Sequence, residues 1–162
     1  MDKILYKELN EQVIKELYSA YLYLSMASYF NSLHLEGFAH WMKLQAKEEI
    51  GHAMRIYDYL NENGERVIFE AIDKPPFDFK SPVDVFEKTF EHEKKVTKSI
   101  ENIYKVAREK NDYAAEVFLQ WFINEQVEEE KQALTILEKL KKAEGNEQLI
   151  LMIDKELGER EE

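Results

Sequence analysis

Trp41-Met42-Lys43-Leu44-Gln45-Ala46-Lys47-Glu48-Glu49-Ile50-Gly51-His52 sets a carboxylate and an imidazole, Glu49 and His52, three residues apart. On a helix that spacing makes them neighbours on one face. At about 100° per residue, Gln45, Glu49 and His52 project in the same direction as Phe38 and Ile56. The apolar residues want this face buried, so the polar groups in its middle need partners or a cation. A Glu-x-x-His pair alone is a weak signal. Its meaning depends on whether other helices bring matching carboxylates.

The 162-residue chain is long enough for one domain, residues 1–162, with a real core. Hydrophobic residues make up 44% and charged residues 34%, with five Gly and three Pro, a mixture that reads as helical. There is no Cys, which excludes a disulfide framework, a thiolate zinc site and an iron–sulfur cluster. The net charge of -11 argues against nucleic acid or an anionic membrane as partner and suits a protein that attracts cations. No signal-peptide core and no membrane-length apolar run is seen, so a soluble cytoplasmic location is expected.

Helical periodicity predicts a first helix over about 2–32, carrying Leu5, Leu9, Val13, Leu17, Ala20, Leu24 and Ala27 on one face with Glu16 among them. Tyr23 lies two turns on, on the same side. Leu35-Glu36-Gly37 reads as a break before a second helix over about 38–62, which stops at Asn63-Gly64. A long non-helical stretch with Pro75-Pro76 follows. A helix of about 25 residues is about 38 Å long, and roughly 17 extended residues at about 3.3 Å each can return along it. The third helix would then run parallel to the second, giving an all-α, up-down-down-up four-helix bundle with one long crossover.

Ser81-Pro82 opens the third helix, about 82–110, as N-cap and first-turn proline. Glu93 falls on its inner face with Val85, Thr89, Val96, Ile100, Ile103 and Ala107. His92 does not and reads as a surface histidine, as do His34 and His40. The fourth helix, about 112–143, aligns Val117, Phe118, Trp121, Gln132 and Ile136 with Glu125 and Glu129. Glu128 and Gln126 border that face, and Glu130 reads as surface. A short fifth helix, about 147–157, is too short to stand alone and must pack on its own bundle or on another subunit.

Each long helix thus carries a carboxylate on its inner face: Glu16, Glu49, Glu93 and Glu129, with His52 and Gln126 beside them. Four ionised carboxylates in a core repel, and some protonate unless cations are present. Two divalent ions neutralise four such charges. A carboxylate-rich site with an imidazole suits iron or manganese. Glu49 is the best candidate to bridge two ions, because His52 already commits to one of them.

The runs Ile14-Lys15-Glu16-Leu17-Tyr18-Ser19-Ala20-Tyr21-Leu22-Tyr23, Glu48-Glu49-x-x-His52, Phe90-Glu91-His92-Glu93 and Phe118-Leu119-Gln120-Trp121-Phe122-x-Asn124-Glu125-Gln126-Val127-Glu128-Glu129-Glu130 resemble, in this order and spacing, the ferritin family of the non-haem bacterial or archaeal type. The resemblance covers nearly the whole chain and implies the ferritin-like form of the bundle, with the short fifth helix at its C-terminal end. It implies an iron-storage protein with ferroxidase activity, oxidising Fe(II) with dioxygen or peroxide. The centre would hold two irons on Glu16, Glu49, His52, Glu93, Gln126 and Glu129, with Tyr23 beside it. A third iron site would map onto Glu48, Glu125, Glu128 and Glu129. It further implies a homo-oligomeric cage of 24 subunits, with the fifth helix near the four-fold axes.

Departures from other branches of the family narrow the type. A haem-binding relative would place a Met directly after the bridging Glu, where this chain has Ile50, so no haem is expected. A second Glu-x-x-His on the fourth helix is replaced by Gln126-x-x-Glu129. One acid of the three-fold channel of animal ferritins is replaced by Leu119, while Glu116 occupies the other position. A metal-free helical interaction module and a DNA-protecting mini-cage are the competing readings. The first leaves the inward carboxylates without a purpose, and the second fits poorly with a fifth helix and an acidic C-terminal tail.

Overall fold

A computed structural model describes all 162 residues and contains five helices and no strand. Helix α1 spans Lys3–Ser32, α2 Glu36–Glu62, α3 Pro82–Glu109, α4 Tyr113–Lys142 and α5 Glu147–Gly158. Helices α1 and α2 form one hairpin and α3 and α4 the other, and the crossover between Glu62 and Pro82 joins the two into an up-down-down-up bundle. No helix is long and apolar enough to cross a membrane.

Polar caps start most of the helices. Asp2 accepts from the backbone N–H groups of Ile4 and Leu5, Ser81 from Asp84, Asp112 from Ala115 and Asn146 from Leu149. Helix α2 lacks such a residue of its own. Asp154 of α5 supplies the function instead, its Oδ1 accepting from Phe38 N at 2.9 Å.

The expected break at Leu35-Glu36-Gly37 lies two residues too late. The chain turns at Leu33-His34, with His34 at φ 59°, and Gly37 is already inside α2. Gly37 is required there for a different reason: a Cβ at this position would lie 1.7 Å from the Asp154 carbonyl oxygen. The glycine marks a close approach of α5 to α2.

The crossover is fastened along α1. Tyr6 Oη donates to Arg66 O at 2.6 Å, and Asn10 both donates to Ile68 O at 2.9 Å and accepts from Ile68 N at 2.8 Å. Further along, Ser25 Oγ donates to Pro76 O at 2.6 Å. From Tyr6 to Ser25 is roughly 28 Å of helix at about 1.5 Å per residue, so the crossover does travel most of the bundle's length.

The apolar core is in two parts. One is built around Tyr23, Met26, Phe30, Phe38, Met42 and Phe86 and receives Ile153 and Leu157 of α5. The other is built around Leu5, Leu9, Ile56, Leu60, Ile100, Leu119 and Phe122. Buried Gln12, Glu16, Ser19, Gln45, Glu49, His52, Thr89, Glu93, Gln126 and Glu129 form a polar layer on the four long helices. Burial of apolar area at both ends stabilises the bundle and carries the cost of that layer.

Two expected inner faces are corrected. On α4 the buried stripe is Ala115, Leu119, Phe122, Gln126, Glu129, Ala133 and Ile136, whereas Val117 is 68% exposed and Gln132 is also exposed. Apolar residues on α4 lie on both sides of the buried line, so periodicity alone placed its centre wrongly. On α1, Leu24 is exposed, while Leu22, Tyr23 and Met26 take the core positions. The outer face of α5, with Leu151 and Met152, is exposed in the single chain.

Candidate metal centre

Helical geometry brings the polar side chains to one level of the bundle. Gln12 and Glu16 are one turn apart on α1, and Gln45, Glu49 and His52 occupy successive turns of α2. Glu93 comes from the middle of α3, and Gln126 and Glu129 from the middle of α4. All are buried.

Three sets of side chains bring their ligand atoms within 4.8 Å of one another: Glu16, Glu49 and His52; Glu49, Glu93 and Glu129; and His52, Glu125 and Glu129. Glu49 is common to the first two. His52 Nδ1 lies 3.3 Å from Glu49 Oε2 and 3.9 Å from Glu16 Oε2, and its Nε2 lies 3.9 Å from Glu125 Oε1. The ring is packed edge-on against Trp121 and Phe122.

Polar neighbours hold these carboxylates in place. Gln12 Nε2 donates to Glu16 Oε1 at 3.0 Å and its own Oε1 accepts from Ser99 Oγ at 2.6 Å. Gln126 Nε2 donates to Glu93 Oε2 at 3.1 Å, and Tyr23 Oη donates to Glu93 Oε1. Gln45 Nε2 donates to Glu129 and to Glu49. Glu16 Oε2 is buried and has no hydrogen-bond partner at all. An orphaned acceptor of this kind is costly, and a cation beside His52 and Glu49 would satisfy it.

The electrostatics point the same way. Burial pushes the Glu49 carboxyl well above the ordinary range, with the charges of Glu93 and Glu16 adding to it. Burial also pushes Glu129 up to about 10, reinforced by Glu93 and Glu48. For Glu93 burial raises the carboxyl to about 7, against the hydrogen bonds from Tyr23 and Gln126 that favour its charged form. Tyr23 is held protonated by burial and by the charges of Glu93 and Glu49. Oxygen-rich donors with a single imidazole suit a hard or intermediate divalent cation, whose charge would relieve the mutual repulsion of the acids.

The residues assigned to a third iron position are less converged. Glu125 is half-buried and Glu129 buried, and both meet His52. Glu48 and Glu128 are exposed and join none of the three sets. Glu48 is instead ion-paired with Arg160, at 3.0 Å from Nη2.

His92 is not the surface histidine that its angle on α3 suggests. Its Nε2 is 2.7 Å from Ser19 Oγ, and its ring packs against Tyr18 and Tyr23. Burial, and then the charge of Lys95, lower its pKa to about 4. The faces of α1 and α3 close over it. His40 is half-buried and its Nε2 donates to Arg160 O at 2.8 Å. Glu130, read as surface, is half-buried and accepts from Thr97 Oγ1 at 2.6 Å. Sequence reasoning missed Gln12, Ser99 and Arg160. Gln12 could have been found, since it lies one turn from Glu16 on the same face. Ser99 and Arg160 carry no local signal.

Fold and site together define a four-helix bundle whose buried carboxylates and imidazole could hold metal ions. Residues 6–143 match the family model described as a ferritin-like domain. The chain is 42% identical to the bacterial non-heme ferritin of Bacteroides fragilis over 152 residues, 94% of each protein. It is 37% identical to that of Staphylococcus aureus over 160 residues, 99% of this chain and 96% of the other. Among solved structures, an open-pore ferritin from the hyperthermophilic archaeon Archaeoglobus fulgidus superposes with a TM-score of 0.98 at 45% identity, covering 99% of each chain. The chain belongs to the ferritin family.

Proposed function

We propose that this protein stores iron and that the polar layer of its bundle oxidises Fe(II) to Fe(III), with residues 1–162 acting as one domain. Iron is the substrate. Glu16 and His52 take one Fe(II), Glu93 and Glu129 the other, and Glu49 lies between the two. Gln126 and Tyr23 hold Glu93. Each Fe(II) gives one electron to the oxidant, dioxygen or peroxide; dioxygen leaves as hydrogen peroxide after taking two electrons and two protons. The four carboxylates neutralise the cations and favour the ferric product, which passes into the interior of a homo-oligomeric cage of 24 chains in the cytoplasm. The exposed apolar residues of α5 fit a subunit contact in such a cage.

The observation that carries this reading is that two ligand sets on four helices share Glu49, while Glu16 Oε2 lies buried and unpartnered. The double variant Glu49→Ala/His52→Ala, mixed with Fe(II) in air, should lose rapid oxidation followed by ultraviolet absorbance while light scattering finds the assembly intact. Oxidation at the unaltered rate would refute the assignment.

A further inference from the structure

Both tryptophans of the chain carry a guanidinium over the ring. Arg160 lies over Trp41, 4.6 Å from its centroid, and is held there by Trp41 O, Gln45 and Glu48 as well. Arg55 lies over Trp121 at 3.7 Å. It forms no hydrogen bond and has no carboxylate within 4.0 Å, so the ring is its one anchor. His52 and Arg55 stand one turn apart on α2 and both meet this indole. His52 packs against it edge-on, with 5.4 Å between centroids, and Arg55 covers its face.

His52 belongs to two of the three ligand sets. Of the two aromatic rings packed on it, Trp121 and Phe122, only the indole gives up an electron readily. Taking dioxygen to hydrogen peroxide needs two electrons and two protons, and a centre holding a single Fe(II) supplies one electron. Trp121 is placed to give the second, losing one ring electron and its Nε1 proton and being left as a radical. A cation on the ring face opposes that loss. The guanidinium is attracted to the electron-rich face of the neutral ring, and the attraction turns to repulsion once the ring has lost an electron. The charge is permanent, so the opposition holds at every pH of interest.

We propose that Arg55 protects Trp121 from one-electron oxidation by raising the potential of the indole, so that electrons taken at the centre come from Fe(II) alone. This rests on the Fe(II)-oxidising reading given above. Arg55 touches none of the ligand carboxylates and acts on the reaction only through the ring. A residue that merely covered the ring would be replaced without loss by an apolar side chain, which separates charge from packing.

The first test uses metal-free assembled protein illuminated with lumiflavin, an uncharged dye whose excited state takes one electron and one proton from an indole. Peptide mass spectrometry follows loss of Trp121 relative to Trp41, which keeps its own arginine in every sample. In Arg55→Leu, which covers the ring without charge, this ratio should rise roughly tenfold, or about 59 mV for one electron. That is the scale of one unit charge a few ångströms away and screened by water. Arg55→Lys, which keeps the charge, should stay near the parent, and circular dichroism checks that each variant is folded. An unchanged ratio in Arg55→Leu, or an equal rise in Arg55→Lys, overturns the proposal alone. The second test supplies one Fe(II) per chain in air. Trp121 should survive in the parent and be oxidised in Arg55→Leu. Intact Trp121 in that variant, with Fe(II) oxidised at the parent rate, also overturns the proposal alone. A parent that does not oxidise Fe(II) rapidly overturns both it and the reading on which it rests.

Discussion

Gln12 binds one oxygen of Glu16 and leaves the other bare: Nε2 meets Oε1 at 3.0 Å while Oε2, equally buried, has no partner. The amide keeps this orientation because turning it over would set Oε1 against the Glu16 carboxylate, while Ser99 Oγ donates to the Oε1 of the orientation seen. Glu16 is therefore presented to His52 and Glu49 through a single oxygen. Gln12→Leu removes the donor to Glu16 Oε1 and the acceptor of the Ser99 hydroxyl. The metal-free protein should lose about 1–3 kcal/mol of stability, the cost of a buried group left unpaired. Urea unfolding of metal-free protein checks this, with a Co(II) titration of the same samples expected to show weaker first-ion binding.

Stability of the metal-free protein should fall as pH rises. Glu93 at about 7 and Glu129 at about 10 stand above the ordinary value of 4.5, so the folded state holds protons that the unfolded state has already lost. Where the folded state binds more protons, raising the pH destabilises it. The contribution is fully present below about 4.5 and is lost as pH passes through the raised values of first Glu93 and then Glu129. Divalent ions take the place of those protons, so loading should flatten the profile and release protons into solution. Thermal melting across pH 5 to 9 with and without Co(II), and a pH-stat during loading, read both effects. A metal-free melting temperature that rises over this window would contradict the burial argument.

Gly37→Ala tests the seat of α5. The added Cβ would lie 1.7 Å from Asp154 O and 2.6 Å from its carbonyl carbon, and backbone on both sides leaves nothing flexible to yield. The short helix should be pushed off α2, with loss of the Phe38 N to Asp154 Oδ1 hydrogen bond, while the four long helices persist. Limited proteolysis should cut the variant near Glu144–Asn146 much faster than the parent, with helical circular dichroism reduced only slightly. Asp154→Ala, which removes the cap without a clash, should cost about 1 kcal/mol and leave α5 in place.

The bundle was legible because its cues are local. Apolar spacing, Ser81-Pro82, Asn63-Gly64 and a crossover of the right length each depend on few neighbours. The carboxylates Glu16, Glu49, Glu93 and Glu129 were legible for the same reason, since a charged residue inside an apolar stripe announces itself by its angle. The errors fell where the angle was ambiguous. His92 and Glu93 are adjacent, and only the packing of α1 over α3 draws His92 in towards Ser19 and the two tyrosine rings. Val117 and Leu119 are both apolar, and only contact with the neighbouring helices selects Leu119 for the core.

By itself the sequence determined that four amphipathic helices form and that each turns an acid inwards, because side-chain direction on a helix follows from residue spacing. The tertiary structure decided which of those acids meet, which oxygen of Glu16 goes unpartnered, why Gly37 must lack a side chain, and that Arg160 reaches Gln45 and Glu48 from more than a hundred positions away. Those relationships join residues distant in the chain. They exist only once helices are packed at fixed separations, and no local periodicity encodes them.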